Sequence, residues 1–196
     1  MTDKTVAAAI VTYNRLPLLK ESLAAVLAQT NYLSHVIVVD NLSTDGTKEY
    51  LDSLHDSRVV VYHADKNLGG AGGFNQAVRL FGETLEDDYV WLMDDDTIPE
   101  PDALKHLVEF SESHPEAGFV NSQVRWGSVT GNPSWMNVTA PRAFTWQRYL
   151  TDKDQPAIEV VNSTFVSVMF SREMVAMVGL PQKEYFIWGD DMEYTN

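Results

Sequence analysis

Tyr89-Val90-Trp91-Leu92-Met93-Asp94-Asp95-Asp96 decides how the chain is read. Five apolar or aromatic residues run into three consecutive carboxylates. No polar residue alternates within the run, which is the pattern of a strand buried on both faces. Thr97-Ile98-Pro99-Glu100-Pro101 then stops the strand and opens a helix. Three acidic side chains therefore stand where a strand leaves the core. Like charges that close repel unless something positive neutralises them. A divalent cation with oxygen ligands does so, and such a cation commonly carries phosphate. A solvated acidic turn is the plainer reading for two aspartates. Three in a row at the end of a buried strand point to a metal–phosphate site.

Upstream, the apolar run over residues 6–11 ends at Thr12-Tyr13-Asn14-Arg15. A β-branched run over 35–39 ends at Asp40-Asn41, and 58–62 reads as a third strand. Leu16, Leu19, Leu23 and Leu27 recur at helical spacing, with Pro17 tolerated in the first turn. Ser43-Thr44-Asp45-Gly46 supplies cap and turn chemistry for a second helix. Asn67-Leu68-Gly69-Gly70-Ala71-Gly72-Gly73 reads as a glycine loop before a helix striped by Phe74, Val78, Phe81 and Leu85. Downstream, Leu104, Leu107 and Val108 mark a further helix, 119–124 a fifth strand, and 160–170 another strand-like stretch. Strands alternating with helices in this way mean βαβ units, an α/β fold and a mostly parallel sheet. Over 127–156 no period survives, and Trp135, Met136, Phe144, Trp146 and Tyr149 either line a groove or pin a loop.

Composition sets bounds. At 196 residues with 44% hydrophobic content, the chain reads as one domain with a full core. A net charge of −14 argues against holding nucleic acid through its phosphates, and zero cysteines exclude disulfides and thiolate metal sites. No apolar run approaches the roughly 20 residues of a membrane span. Met1-Thr2-Asp3-Lys4 leads into a strand and not a signal peptide, so a cytoplasmic enzyme is the expectation. Neither G-x-G-x-x-G after the first strand nor G-x-x-x-x-G-K-[ST] occurs, which weakens a dinucleotide reading and removes the P-loop class. His35, His55, His63, His106 and His114 have no metal-ligand spacing and read as structural or solvated.

In an open parallel sheet, ligands bind outside the carboxyl ends of the strands. Thr12 to Arg15, Asp40-Asn41 and Asp94-Asp95-Asp96 all fall at such ends. Glycines, flanked by Asn67 and Asn75, let backbone approach a ligand, and a helix start offers N–H groups to anions. A mobile linker is the plainer reading of that loop. Asp190-Asp191 with Glu193 forms a second acidic cluster. It supplies a general base, or it only complements a helix dipole.

With these residues in place, the sequence resembles glycosyltransferase family 2, inverting enzymes of the GT-A fold. The marks are Ile10-Val11-Thr12-Tyr13-Asn14-Arg15, Val38-Val39-Asp40-Asn41, Ser43-Thr44-Asp45-Gly46-Thr47, Asn67-Leu68-Gly69-Gly70, Asp94-Asp95-Asp96 and Trp188-Gly189-Asp190-Asp191. The resemblance implies a Rossmann-like three-layer α/β fold. Residues 1–125 would form the nucleotide-sugar-binding part and 126–196 the acceptor-side part. Thr12, Tyr13, Asn14 and Arg15 would line the nucleotide pocket, with Asp40 and Asn41 towards the base. Asn67, Gly69, Gly70 and Asn75 would lie near the diphosphate and donor sugar. Asp96, assisted by Asp94, would ligate Mg²⁺ or Mn²⁺, and Asp95 would face the sugar. Asp191 best matches the base, with Asp190 one register away.

The implied reaction moves a sugar from a nucleotide-sugar donor to a hydroxyl of a glycan or lipid-linked glycan, as in cell-wall polysaccharide synthesis. The stretch 67–74 and the triple acid look most like bacterial galactofuranosyl- and rhamnosyltransferases, which suggests UDP-galactofuranose or dTDP-rhamnose as donor. The family continues with more helix, a further metal ligand (often His) and acceptor-side elements. The 196 residues would then be a catalytic-domain fragment, and a missing C-terminal part would allow peripheral association at the inner face of the membrane. A nucleotidyltransferase is the weaker rival, because Tyr13-Asn14-Arg15-Leu16 stands where such enzymes carry a Gly- and Lys/Arg-rich loop. A non-catalytic nucleotide-sugar-binding module is the rival of another class.

Overall fold

The computed structural model describes residues 4–127, 131, 138–139 and 157–196. Trp135, Met136, Phe144, Trp146 and Tyr149, the aromatics of the aperiodic stretch, lie outside the described residues. The first half is built from β1 (Val6–Thr12), β2 (Leu33–Asp40), β3 (Val59–His63) and β4 (Tyr89–Asp94). Helices α1 (Leu16–Leu27), α2 (Thr47–Asp52) and α3 (Gly69–Thr84) connect them, and α4 (Ala103–Ser113) follows. The second half adds short strands β5 (Val120–Asn121), β6 (Val138–Thr139), β7 (Asn162–Ser163) and β8 (Val168–Ser171). Helix α5 (Arg172–Val178), a 3-10 turn (Lys183–Tyr185) and α6 (Asp190–Tyr194) complete the described chain.

The central sheet has the order β3-β2-β1-β4-β8-β5. The first four strands are parallel, and β8 runs antiparallel to both of its neighbours. This is the expected mostly parallel α/β sheet. Because successive side chains of a strand face opposite ways, β1 feeds two cores. Val6, Ala8 and Ile10 pack with Leu19, Leu23 and Val26 of α1 and Leu104 of α4. Ala7, Ala9 and Val11 pack with Phe74, Ala77, Val78 and Phe81 of α3 on the other face. Trp91 of β4 is fully buried, and its Nε1 donates to Ser167 Oγ at 3.0 Å.

Four elements differ from the sequence reading. The glycine stretch is not a loop: it forms the first turn of α3. A Cβ at Gly73 would overlap Val11 Cγ1, so glycine lets the helix lie directly on β1. The strand over 119–124 shrinks to two residues, and 160–170 holds only β7 and the start of β8. Ser167, at φ +66°, breaks the latter stretch so that its carbonyl accepts from Ser122 N at 3.0 Å. Helix α4 begins at Ala103, two residues past the second proline, after a turn in which Thr97 N donates to Asp94 O at 3.2 Å.

At the far end of the sheet, Arg172 ties the two halves together. Its guanidinium donates to the carbonyls of Asp87 (2.7 Å), Leu85 (2.9 Å) and Phe81 (3.3 Å) and lies over the Phe81 ring. Asp87 beside it is buried and bonded to Ser34 Oγ and to His35 Nδ1.

Candidate active site

Strand order turns back at β1, with β2 and β3 on one side and β4 on the other. A crevice opens outside the carboxyl ends at such a point. The register aligns the polar ends: Thr12 sits beside Asp40, and Val11 beside Asp94. The crevice encloses about 710 Å³. A larger hollow of about 1230 Å³ lies between α4, β5 and residues 157–160, and none of the strand-end groups reaches it.

Of the residues singled out in the sequence, Thr12, Tyr13, Arg15, Asn41, Asn67, Gly69, Gly70, Asp94, Asp95, Asp190 and Asp191 line this one crevice. Asp96, half exposed, does not line it and reaches it only through its ion pair with Arg15 among the described residues. Asn14, Asp40 and Asn75 do not line it. Asn14, at φ +55°, spends its side chain on Thr44 N (2.7 Å) and so ties the exit of β1 to that of β2. Asp40 is 2% exposed; its Oδ1 accepts from Ser43 N at 2.9 Å, and its Oδ2 faces His63 Nδ1 at 3.0 Å. Asn75 Nδ2 donates to Pro181 O at 2.7 Å.

The three strand-end carboxylates point three ways. Asp95 turns inward, accepting from Thr12 Oγ1 at 2.7 Å across the β1–β4 junction. Asp96 turns outward to Arg15 Nη1 at 2.9 Å, and the same nitrogen lies 3.5 Å from Asp95. Asp94 remains in the crevice. Burial, then the Asp96 and Asp95 charges, push its carboxyl up to about 7, against the pull of Arg15. Asp191 adds to that push, so the second acidic cluster acts on the first across the crevice. Burial and the neighbouring Asp191 likewise push Asp190 up to about 6. Asp190 is buried at 4% exposure, while Asp191 is partly exposed, its Oδ1 accepting from Met192 N at 2.7 Å.

Carboxylate oxygens suit a hard cation such as Mg²⁺ or Mn²⁺. Among the described residues no three acidic or imidazole groups converge as a ready-made metal site. Mg²⁺, however, is commonly held by one or two carboxylates, with substrate phosphates and water completing the shell. Among the described residues no cationic side chain forms an ion pair with Asp94, and Asp96, the carboxylate two residues on, is paired with Arg15. These residues fit a cation of that kind.

The glycine-rich helix start is less free for anions than the sequence suggests. Gly69 N donates to Asn67 Oδ1 at 2.8 Å, and Ala71 N to Phe186 O at 3.1 Å. Asn41 Nδ2 donates to Gly69 O at 2.9 Å, which leaves its buried Oδ1 without a partner at the crevice wall. Sequence reasoning missed His63, whose Nε2 also faces Asp52 Oδ1 at 3.0 Å. The signal for it is its place one residue past the predicted third strand, level with Asp40. It also missed Trp126, Phe186 and Ile187 as wall residues. Nothing local marks them.

Comparison with known proteins gives concordant matches. The family described as "Glycosyl transferase family 2" matches residues 8–177. Galactofuranosyltransferase GlfT1 of Mycolicibacterium smegmatis is 30% identical over 198 residues, covering 97% of this chain and 64% of that protein. GlfT1 of Mycobacterium tuberculosis H37Rv is 30% identical over 199 residues, covering 98% and 64%. The chain thus spans about 64% of the length of these curated relatives. Among solved structures, the mannosyltransferase PcManGT from Pyrobaculum calidifontis, in complex with GDP-Man and Mn²⁺, aligns with a TM-score of 0.67 at 23% identity. That alignment covers 100% of this chain and 51% of the other. S. aureus TarS 1-349 in complex with UDP-GlcNAc aligns at 0.69 and 18% identity, covering 97% and 52%. Both share the fold.

Proposed function

The chain belongs to glycosyl transferase family 2, and we propose that its crevice carries out inverting transfer of a sugar from a nucleoside-diphosphate sugar to an acceptor hydroxyl. One observation carries the reading: Asp94 and Asp95 on one side and Asp190 and Asp191 on the other, far apart in sequence, line a single crevice at the carboxyl ends of β1 and β4. One cluster suits the diphosphate side and the other the attacking hydroxyl. The relatives named as galactofuranosyltransferases make UDP-galactofuranose the first donor to test, with dTDP-rhamnose second. The acceptor is a glycan or lipid-linked glycan, and the work is done at the inner face of a membrane. No described helix is long and apolar enough to cross one.

Asp94 and Asp96 would hold Mg²⁺ or Mn²⁺, which when bound supplies charge neutralisation for the diphosphate. The chain's own residues do the rest. Tyr13, Arg15 and Asn41 bind the nucleotide end of the donor, with Asp40 held behind Asn41 as a buried anchor. Arg15, which lines the crevice and pairs with Asp96, would offer its guanidinium to a phosphate oxygen of the donor. Asp95, fixed by Thr12, orients the donor sugar. The acceptor oxygen attacks the anomeric carbon from the side opposite the diphosphate. The new C–O bond forms as the old one breaks, so the anomeric configuration inverts. The proton of the acceptor hydroxyl passes to the carboxylate of Asp191. Buried Asp190 supports it from beneath. Residues 1–125 serve the donor and 126–196 the acceptor.

The test is a thermal-shift screen of nucleoside diphosphates and nucleotide sugars with Mn²⁺ and with EDTA, followed by turnover of the best donor. A binder selective for the folded state raises stability by RT ln(1 + [L]/Kd), so the largest shift identifies the donor. Metal-dependent stabilisation by one nucleotide sugar, with release of its nucleoside diphosphate, is expected. Binding without release from the full-length protein, with an acceptor present, would overturn the transferase reading.

A further inference from the structure

The residues on which the acceptor side depends are held by the donor-side helix. Asp190 and Asp191 begin α6, whose far end is anchored where Thr195 Oγ1 meets Ser163 N (3.0 Å) and Ser163 O (3.1 Å). Its near end hangs on residues 181–189. That segment is tied to α3 at two points: Asn75 Nδ2 donates to Pro181 O (2.7 Å), and Ala71 N donates to Phe186 O (3.1 Å). Phe186 is the centre of a γ-turn closed by Ile187 N to Tyr185 O at 2.8 Å, with φ +66° and ψ −56°. That conformation is rare and strained for a residue with a side chain. Here it aims one carbonyl at the first turn of α3. The opposing surface is cut to fit. A Cβ at Gly69 would overlap the Phe186 carbonyl oxygen and lie 2.8 Å from its carbon, and φ at Gly69 is +71°. The Gly69 peptide is itself clamped by Asn67 and Asn41.

We infer that this joint is what sets Asp190 and Asp191 at their distance from the donor, so that Gly69 and Asn75 are positioning residues for the acceptor-side base. The inference deepens the transferase reading and rests on it. Strain persists where surrounding structure over-determines it, and two side-chain clamps, a glycine-only contact and a second tether do so here. Asn75 does not line the crevice, and its described side-chain hydrogen bond runs to Pro181, at the start of the segment that carries the turn. A displacement of about 1 Å at a reacting group costs on the order of 10²-fold in rate. A joint made of backbone against backbone holds to that tolerance better than exposed side chains do.

The test compares Asn75→Ala and Gly69→Ala with Gly82→Ala, a glycine of the same helix whose Cβ would meet open space. Turnover, donor affinity and amide hydrogen exchange are read on each. Asn75→Ala should lower kcat roughly tenfold while donor Kd stays within about twofold. Exchange should quicken at the Ala71 amide and over 185–194, with the rest of α3 unchanged. Gly69→Ala should lower kcat and quicken the same exchange more strongly, with donor affinity falling too because Gly69 lines the crevice, and Gly82→Ala should do neither. If Gly69→Ala fails to fold, Asn75→Ala alone decides. Wild-type kcat and exchange in Asn75→Ala, or a loss confined to donor affinity, would overturn the joint. A wild-type protein that turns over no nucleotide sugar, yet shows the predicted exchange coupling, would remove the transferase reading and leave the joint standing.

Discussion

Asp94 makes stability depend on pH in a direction that can be worked out. Its carboxyl is pushed up to about 7 in the folded chain, against 3.8 as the ordinary value. The folded state therefore holds this proton more tightly than the unfolded state does. Its contribution is fully present below the unfolded value and is lost as pH rises through the folded one. Between about pH 5.5 and about pH 8 the linkage amounts to about 2 kcal/mol, on the order of 4–8 °C in Tm for a chain of this size. Asp190, pushed up to about 6, changes in the same direction. Its share over that window is about 1 kcal/mol. Asn keeps the shape of a protonated Asp and cannot ionise. Asp94→Asn should therefore lose about two thirds of the combined slope in urea titrations at the two pH values with EDTA present. Adding Mn²⁺ at the higher pH should restore stability to the parent and do little for the variant. Equal slopes in the two proteins would refute the argument, because the titrating group would lie elsewhere.

Asp96→Ala should weaken metal-dependent nucleoside diphosphate binding at least about tenfold, roughly 1.4 kcal/mol; equal affinity with Mn²⁺ and with EDTA in the parent would dispose of the cation. In a protein extended past Asn196, Asp191→Asn should lower kcat by roughly 10²–10⁴-fold with donor affinity kept, and Asp190→Asn should be milder. The reverse ranking would make Asp190 the base. Gly73→Ala puts a Cβ into Val11 and 3.1 Å from Asn41 Nδ2. It should cost about 1–3 kcal/mol in chemical denaturation, and parental stability would show that α3 can lift off β1 without penalty.

How far the sequence was legible follows from how local each cause is. The buried runs of β1, β2 and β4 and the polar residues that end them are local facts, and the sheet and the crevice follow from them. The glycine turn of α3 could not be read that way. Its reasons are Val11 on a neighbouring strand and Phe186 more than a hundred residues later. Asp40 looked like a ligand-facing carboxylate, yet the register of β2 with β3 sets His63 beside it and Ser43 folds back over it. Arg15 was read as lining the nucleotide pocket. Only the folded β1–β4 junction shows that it also serves as the chain's own counter-ion for Asp95 and Asp96. The strand pieces near β8 were overextended because one positive-φ serine ends a run whose composition says strand.

The antiparallel seat of β8 has a consequence for how the protein is made. Strand β4, with Trp91 at its middle, is central in the finished sheet, yet its partner on one side is residues 168–171. A ribosome releases β1 to β4 long before that partner. In the interval a strand whose first five residues are buried in the finished fold presents an open edge, the kind of surface that pairs with a stranger. The carbonyls at the end of α3 wait equally long for Arg172. Late pairing across so many residues makes the nascent protein slow to close and exposed to aggregation while it waits. The yield of this fold should therefore respond to translation speed and chaperone supply as well as to its final stability.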